Sequence, residues 1–302
     1  KKDTVAFCGY HGWHDWYLAA NLKSKKNLDE HLIKGLNPLG VPKSLSKTSY
    51  GFTYGNYNQL LKIVNEKNIG VIKMEVCRNT MPNIKFLKQV RNLATKKKII
   101  LIFDECTTGF RQNFGGIHLL TGVTPDLAIF GKALGNGYPI TAVIGKEKIM
   151  NAARNSFMSS TFWSERIGPA AALKTLEVME KKKSWVIINK LGKKLIQIWK
   201  KLASRHKIKI SIYGIPSLIK FNIISKNSQV YKTYISQQML KKNILASNGV
   251  YLSTSHNEDI FKKYEKVLDK IFYDISLCEK GIFSINNLLK YPVSHLPFER
   301  LN

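Results

Sequence analysis

A nearly uninterrupted apolar run at residues 99–103, within KKIILIFDE, constrains the fold of this chain more than any other feature. A strand that is apolar on both faces is typical of a parallel sheet covered by helices, whereas a half-exposed strand alternates apolar and polar residues. Further strands are predicted at residues 68–75, 126–130 and 140–145.

A helical pattern lies between the strands predicted at residues 68–75 and 99–103. Strands and helices therefore alternate along this part of the chain. Phe86, Val90 and Leu93 recur at helical spacing and share one face. In open α/β sheets, ligands bind beyond the carboxyl ends of the strands. Asp104 and Lys132 both follow strands directly, so both are candidates for a site at that edge.

The pattern becomes richer in helices from Ser164 onward. Two long helices, two strands and two further helices are expected there, the last two near residues 228–242 and 257–277. We therefore predict a large domain over residues 1–175. A smaller C-terminal α/β domain, which includes the connecting helix, is predicted over residues 176–302.

The net charge of +28, from 48 basic and 20 acidic residues, first suggests a nucleic-acid or membrane partner. The lysines are scattered through nearly every segment, however, so no specific nucleic-acid partner is expected. No apolar run is long enough to span a bilayer, so no membrane partner is expected either. Four cysteines without a C-x-x-C pair fit a reducing compartment, and we expect the cytoplasm.

Lys132 stands where an apolar strand gives way to a glycine-rich turn, in FGKALGNGYPI. A lysine amine that loses its proton is a nucleophile toward aldehydes, and Gly135 and Gly137 let a bound group approach the backbone. An acid such as Asp104 can keep a ring nitrogen protonated. Pyridoxal phosphate (PLP) requires both groups. Alternatively, Lys132 is a solvated strand-end residue and Asp104 caps a helix.

Three motifs together resemble the class III aminotransferases, and within them the glutamate-1-semialdehyde aminomutase branch. Shorter stretches extend the resemblance over the whole chain, among them GYHGWHDWY (9–17) and the closing HLPFERLN (295–302). The three motifs are FDECTTGFR (103–111), GVTPDLAIFGKALGNGYPI (122–140) and STFWSERIGPAAALKTLE (160–177).

This resemblance implies the fold type I architecture of PLP-dependent transferases. That fold has a large, mostly parallel sheet with helices on both faces, plus a smaller C-terminal α/β domain. The resemblance also implies a homodimer with PLP as cofactor. Lys132 would form the imine with PLP and carry a proton, and Asp104 would pair with the pyridinium nitrogen. Tyr10 would stack on the ring, and Thr161 would reach the phosphate bound in the partner subunit.

The resemblance also places His11 and Cys106 beside the cofactor. Cys106 stands where the family usually has Val. Glu105 and Arg111 match positions that brace the loop.

HGWH (11–14) offers a His-x-x-His pair, but no third ligand is evident, so no metal is expected. Without the motifs, Tyr10 would be interpreted as an aromatic residue of the core and Thr161 as the N-cap of a helix.

Departures from the family pattern bear on the reaction. Val76 replaces the usual proline after Glu75, and Asn248 stands where the aminomutases carry a glutamate. The second change favours transfer of an amino group from a small-molecule donor to a separate aldehyde or ketone acceptor. An intramolecular glutamate-1-semialdehyde 2,1-aminomutase reaction and an inactive or fragmentary family member remain alternatives.

Residue 1 corresponds to a position inside the family's large domain. The preceding segment of the family supplies the Gly-Ser-rich turn that holds the cofactor phosphate. We therefore expect that these 302 residues alone bind PLP weakly or fold poorly.

Overall fold

The computed structural model describes residues 2–31, 34–77, 80–159 and 161–294. The chain divides into two compact units, residues 1–182 and residues 183–302. Each unit has its own sheet, and each is described separately below.

The first unit is built on a six-stranded sheet in the order β2-β1-β3-β4-β5-β6. The first four pairings along this order are parallel, and β6 runs antiparallel to β5. The strands are β1 (Thr4–Cys8), β2 (Ser49–Gly51), β3 (Ile69–Glu75), β4 (Ile100–Asp104), β5 (Leu127–Phe130) and β6 (Ala142–Gly145).

Two helices of the first unit, α2 and α3, begin at asparagine caps. Asn56 accepts a hydrogen bond from Gln59 N at 3.0 Å, and Asn83 accepts one from Phe86 N at 3.1 Å, so each asparagine satisfies a free amide of the first turn. The α-helices are α1 (Asp15–Leu18), α2 (Tyr57–Glu66), α3 (Ile84–Lys96), α4 (Glu147–Met150) and α5 (Ile167–Lys182).

The two faces of the sheet are covered unequally. On β4, Leu101 and Phe103 are fully buried on one face, whereas Ile100 and Ile102 are half-buried on the other. The second face also carries Asp104 at the end of the strand, because side chains alternate along a strand. The end of the central strand therefore presents a carboxylate on the more open side of the sheet.

The second unit has a three-stranded antiparallel sheet in the order β7-β8-β9. Its core centres on Trp199, whose Nε1 donates a hydrogen bond to Tyr264 Oη at 3.0 Å and whose ring lies 4.7 Å from that of Phe221. The elements are α6 (Ser184–Arg205), β7 (Ile210–Ile215), β8 (Leu218–Ile223), α7 (Ser228–Leu240), β9 (Gly249–Tyr251) and α8 (Glu258–Glu279).

The strands expected at residues 68–75, 126–130 and 140–145 are confirmed as β3, β5 and β6, and the apolar run at 99–103 is confirmed as β4. The antiparallel direction of β6 was not predicted, because a strand's direction is set by its connection rather than its composition.

The closing motif at residues 295–302 lies outside the described residues. None of the described helices is both long and apolar enough to cross a membrane.

Gly192 provides a test of packing in the second unit. It lies inside α6, where alanine normally stabilises a helix by about 1 kcal/mol relative to glycine. A Cβ at this position would overlap the carbonyl oxygen of Pro216. We expect Gly192→Ala to destabilise the protein instead, by about 2 kcal/mol in urea unfolding. Exposed Ser204→Ala on the same helix is the control and should change stability by less than about 0.5 kcal/mol.

Candidate functional site

Asp104 ends β4 and is the centre of the candidate site. Its Oδ2 lies 2.9 Å from His11 Nδ1 and 3.7 Å from Lys73 Nζ, and its Oδ1 accepts a hydrogen bond from Cys106 N at 3.2 Å. Burial alone would raise the pKa of this carboxyl. The hydrogen bond from His11, the ammonium of Lys73 and the amide of Cys106 outweigh burial and hold the pKa below its ordinary value. Asp104 is therefore an anion at neutral pH.

His11 connects this carboxylate to the end of β1. Its side chain is fully buried, and its second ring nitrogen, Nε2, lies 3.1 Å from the carbonyl oxygen of Cys8. Both ring nitrogens therefore face oxygen acceptors. Burial lowers the pKa of His11 below its ordinary value even though Asp104 favours the protonated ring, and the ammonium of Lys73 adds to the lowering. The imidazole orients Asp104 through the hydrogen bond at its Nδ1.

Lys73 reaches Asp104 from the neighbouring strand. It lies on β3 and pairs in register with Ile102 of β4, two residues before Asp104, so its side chain leaves the sheet on the same face. The ammonium lies 5.6 Å from the centre of the Trp16 ring, and its side chain is only 15% exposed. A lysine ammonium and an imidazole thus both lie near Oδ2 of the Asp104 carboxylate.

Glu105 points to a different environment from that of its neighbour Asp104. It is 0% exposed, and its carboxylate accepts hydrogen bonds from the backbone N (2.9 Å) and the Nδ1 (2.8 Å) of His118, as well as from Thr108 Oγ1. Its own amide donates to Ile129 O of β5 at 2.8 Å. These bonds fix the loop that leaves β4.

Lys132 lies just beyond β5, the strand next to β4. Its Nζ donates a hydrogen bond to Thr107 Oγ1 at 2.8 Å, and Arg111 Nε donates to Thr107 O at 2.9 Å. The backbone of Lys132 has φ +49°, in the left-handed region that residues with a Cβ seldom occupy. Backbone strain of this kind concentrates at functional sites. The amine is exposed, so it is accessible to a ligand.

Tyr10 and Cys106 flank this arrangement. Tyr10 N donates to Glu75 Oε2 at 3.1 Å, and burial together with Asp104 raises the pKa of the Tyr10 phenol. Burial and the Asp104 charge raise the pKa of the Cys106 thiol to about 11, so it stays protonated. A Cβ on Gly131 would lie 3.4 Å from Cys106 Sγ, which places the thiol beside the backbone that leads into Lys132.

The structure thus brings together Asp104, His11, Cys106 and Tyr10, and it links Lys132 to them through the loop at residues 105–107. Thr161 is exposed in a turn and makes no hydrogen bond with the described part of the chain. Among the described residues, no three His, Cys, Asp or Glu side chains are grouped so that they could hold a metal ion.

Two residues of the site were missed in the sequence. Lys73 is a charge inside an apolar strand and shares its face with Glu75, so alternation along β3 was the available signal. His118 lies thirteen residues beyond Glu105 in a loop, and no periodic pattern connects them. Only the folded loop reveals that contact.

Comparison with known proteins identifies the family. Residues 79–264 match the family model described as "Aminotransferase class-III". This chain belongs to the class III aminotransferases. The family predicted from the three motifs is therefore confirmed.

Curated relatives carry two kinds of name. The chain is 32% identical over 297 residues to a 3-aminobutyryl-CoA aminotransferase of Cloacimonas acidaminovorans (strain Evry), covering 95% of this chain and 66% of the relative. It is 30% identical over 300 residues to a glutamate-1-semialdehyde 2,1-aminomutase of Sulfurisphaera tokodaii, covering 91% and 70%. The chain therefore spans about two thirds of the length of these relatives.

Solved structures of transaminases share the fold. The PLP internal aldimine form of the Sphingopyxis sp. MTA144 FumI protein superposes with a TM-score of 0.80 at 20% identity, covering 95% of this chain and 68% of that one. An omega-transaminase from Sphaerobacter thermophilus gives 0.75 at 18% identity, covering 90% and 68%. The predicted fold class, that of the fold type I PLP-dependent transferases, is confirmed.

The buried carboxylate of Glu105 yields a stability prediction. Glu105→Ala removes the acceptor for His118 and Thr108 and leaves buried donors without a partner, so we expect a loss of about 3 kcal/mol in the free energy of unfolding. Glu66→Ala serves as control because Glu66 belongs to an exposed ion pair with Lys62, and it should cost less than about 0.5 kcal/mol. Equal losses in the two variants would show that Glu105 does not fix the loop.

Proposed function

We propose that this chain carries the catalytic residues of a PLP-dependent aminotransferase, which moves an amino group from a small-molecule donor to an aldehyde or ketone acceptor. One observation supports this most strongly. A buried, anionic Asp104 ends β4, and the accessible amine of Lys132 follows the adjacent strand β5. The loop between them contacts both groups, through Cys106 N and Thr107 Oγ1.

The side chains present fit PLP chemically. A primary amine is the group that captures an aldehyde, and an anionic carboxylate is the group that holds a protonated pyridine nitrogen. When bound, PLP supplies an electron sink for the carbon that loses a proton. Asp104 would hold the ring nitrogen, with His11 fixing the orientation of the carboxylate. Tyr10 and Cys106 would flank the ring.

Lys132 would have two functions in this proposal. Its Nζ would bind the cofactor aldehyde, and once released by the incoming substrate amine it would take a proton from one carbon and return it to another. Thr107 Oγ1 accepts a hydrogen bond from Nζ and holds it near the end of β5. The exposed position of the amine suits a group that must alternate between these two tasks.

An intramolecular aminomutase is the second candidate, and the relatives of that name support it. Asn248, which stands where aminomutases carry a glutamate, favours the aminotransferase. Its Nδ2 donates to Phe221 O at 2.9 Å and to Asn222 Oδ1 at 3.0 Å. Turnover of glutamate semialdehyde with and without an external amino donor separates the two reactions. Turnover without a donor would favour the aminomutase.

We further propose a homodimer in the cytoplasm. The four cysteines are all free thiols, as expected in a reducing compartment. Large apolar side chains close together in sequence are exposed, among them Phe162 (72%) and Trp163 (69%) beside Thr161. Aromatic residues exposed in this way are typical of interfaces. Thr161 would then face the cofactor phosphate of the partner subunit.

The role of Lys132 is tested by covalent trapping. Because weak binding is expected of these 302 residues, the chain is incubated with PLP at a saturating concentration and then reduced with borohydride. We expect one modified peptide, containing Lys132. Lys132→Ala should lose this adduct and slow amino transfer by about 10²–10⁴-fold. Lys174→Ala, which removes an exposed lysine paired with Glu177, should retain both. Modification spread evenly over the surface lysines would refute the proposed function.

The proposed dimer is tested by sedimentation equilibrium. Replacing Phe162 and Trp163 together by serine should weaken self-association by at least about 100-fold, since buried aromatic residues dominate interface energies. Leu245→Ser is a control with a comparably exposed apolar residue, at 94%, in the second unit. A monomeric wild-type chain, or dimers unaffected by the double change, would contradict the proposal.

A further inference from the structure

Lys73 is a largely buried charge, with a side chain 15% exposed, whose role the proposed reaction leaves open. It lies in the middle of β3, and the strand residues beside it, Ile72 and Met74, are fully buried on the other face. Lysine is costly at such a position unless its ammonium is paired. The described residues give this ammonium two contacts, the Asp104 carboxylate at 3.7 Å and the face of Trp16 at 5.6 Å.

The contact with Asp104 falls on the oxygen that His11 also uses. Lys73 Nζ and His11 Nδ1 both approach Oδ2, while Oδ1 accepts a hydrogen bond from the amide of Cys106. One negative charge is thus shared between a fixed cation and an imidazole. Because the pair is largely shielded from water, charges at this separation interact much more strongly than they would at the surface.

We propose that Lys73 acts through Asp104 and His11, by placing a positive charge beside both of them. By neutralising part of the Asp104 carboxylate, it keeps His11 neutral and limits how firmly Asp104 holds a proton on a ring nitrogen bound beside it. The second part of this inference rests on the proposed function, whereas the first part concerns only the residues of this chain.

The geometry explains why His11 is sensitive to this charge. Both of its ring nitrogens face oxygen atoms, so the doubly protonated ring would have a partner at each nitrogen. Burial and the Lys73 ammonium oppose that state. In the described part of the chain, the other titratable groups that face Asp104 are Tyr10 and Cys106, and both remain uncharged at neutral pH because burial and Asp104 raise their pKa values. Lys132 is a further cation, and its charge acts on Cys106. Lys73 acts on both Asp104 and His11, so its removal changes the charge that these two groups meet.

The experiment is an NMR titration of the His11 ring in the chain without PLP, with the signal assigned by a His11→Asn variant. Lys73→Met keeps the length and apolar stem of the side chain but removes the charge. We expect it to raise the His11 midpoint by about one pH unit. Lys73→Arg retains the charge and should restore the wild-type midpoint to within about 0.3 units.

Lys67→Met is the matched control, because Lys67 also lies over an aromatic ring, that of Tyr50 at 5.7 Å. It removes one positive charge and one lysine–aromatic contact far from Asp104, and the His11 midpoint should not move. Thermal unfolding of each variant verifies that the fold is retained. An unchanged midpoint in Lys73→Met, or an equal rise in Lys73→Arg or Lys67→Met, would overturn the inference.

A second measurement tests the link to the cofactor. After PLP is added, the pH dependence of its absorption should shift upward by about one unit in Lys73→Met and should be restored in Lys73→Arg. A His11 shift in a folded wild-type chain that forms no Lys132 adduct even at saturating PLP would refute the proposed function while supporting the role of Lys73 toward His11. A loaded protein whose absorption titrates identically in Lys73→Met would refute the effect on the ring nitrogen.

Discussion

The site depends on one constraint, which is that a carboxylate withdrawn from water must be paired. Two adjacent carboxylates, Asp104 and Glu105, leave β4 into separate buried environments, and each has its own histidine. An unpaired buried charge would cost several kcal/mol, so the elements that carry these partners are held close to the strand end. The loop after β4 is fixed from both sides as a result.

This fixed loop places the amine of Lys132. Thr107 receives Lys132 Nζ on its hydroxyl and Arg111 on its carbonyl, and Cys106 donates its amide to Asp104. The loop therefore links the ends of two adjacent parallel strands. A site that captures an aldehyde and holds a ring nitrogen requires these two groups at a defined separation, and neighbouring strands of one sheet provide a rigid frame for it.

The environment of Asp104 differs from that of a carboxylate whose only charged partner is a ligand. A histidine and a lysine share one of its oxygens, so the carboxylate is partly neutralised before any ligand arrives. Such arrangements, in which neighbouring titratable groups set one another's protonation, concentrate at functional sites. In this family member, a charged residue on an adjacent strand adds to the electrostatics of the motif residues.

The sequence by itself determined the family, the alternation of strands and helices, and the candidates Asp104 and Lys132. These follow from apolar periodicity and from motifs that are contiguous along the chain. Tertiary structure alone decided the partners of the carboxylates. Lys73 reaches Asp104 across the register of β3 and β4, and His118 reaches Glu105 through the folding of a loop. Contacts of this kind depend on which strands become neighbours and on how a loop folds back toward the strand end. Local sequence patterns determine neither.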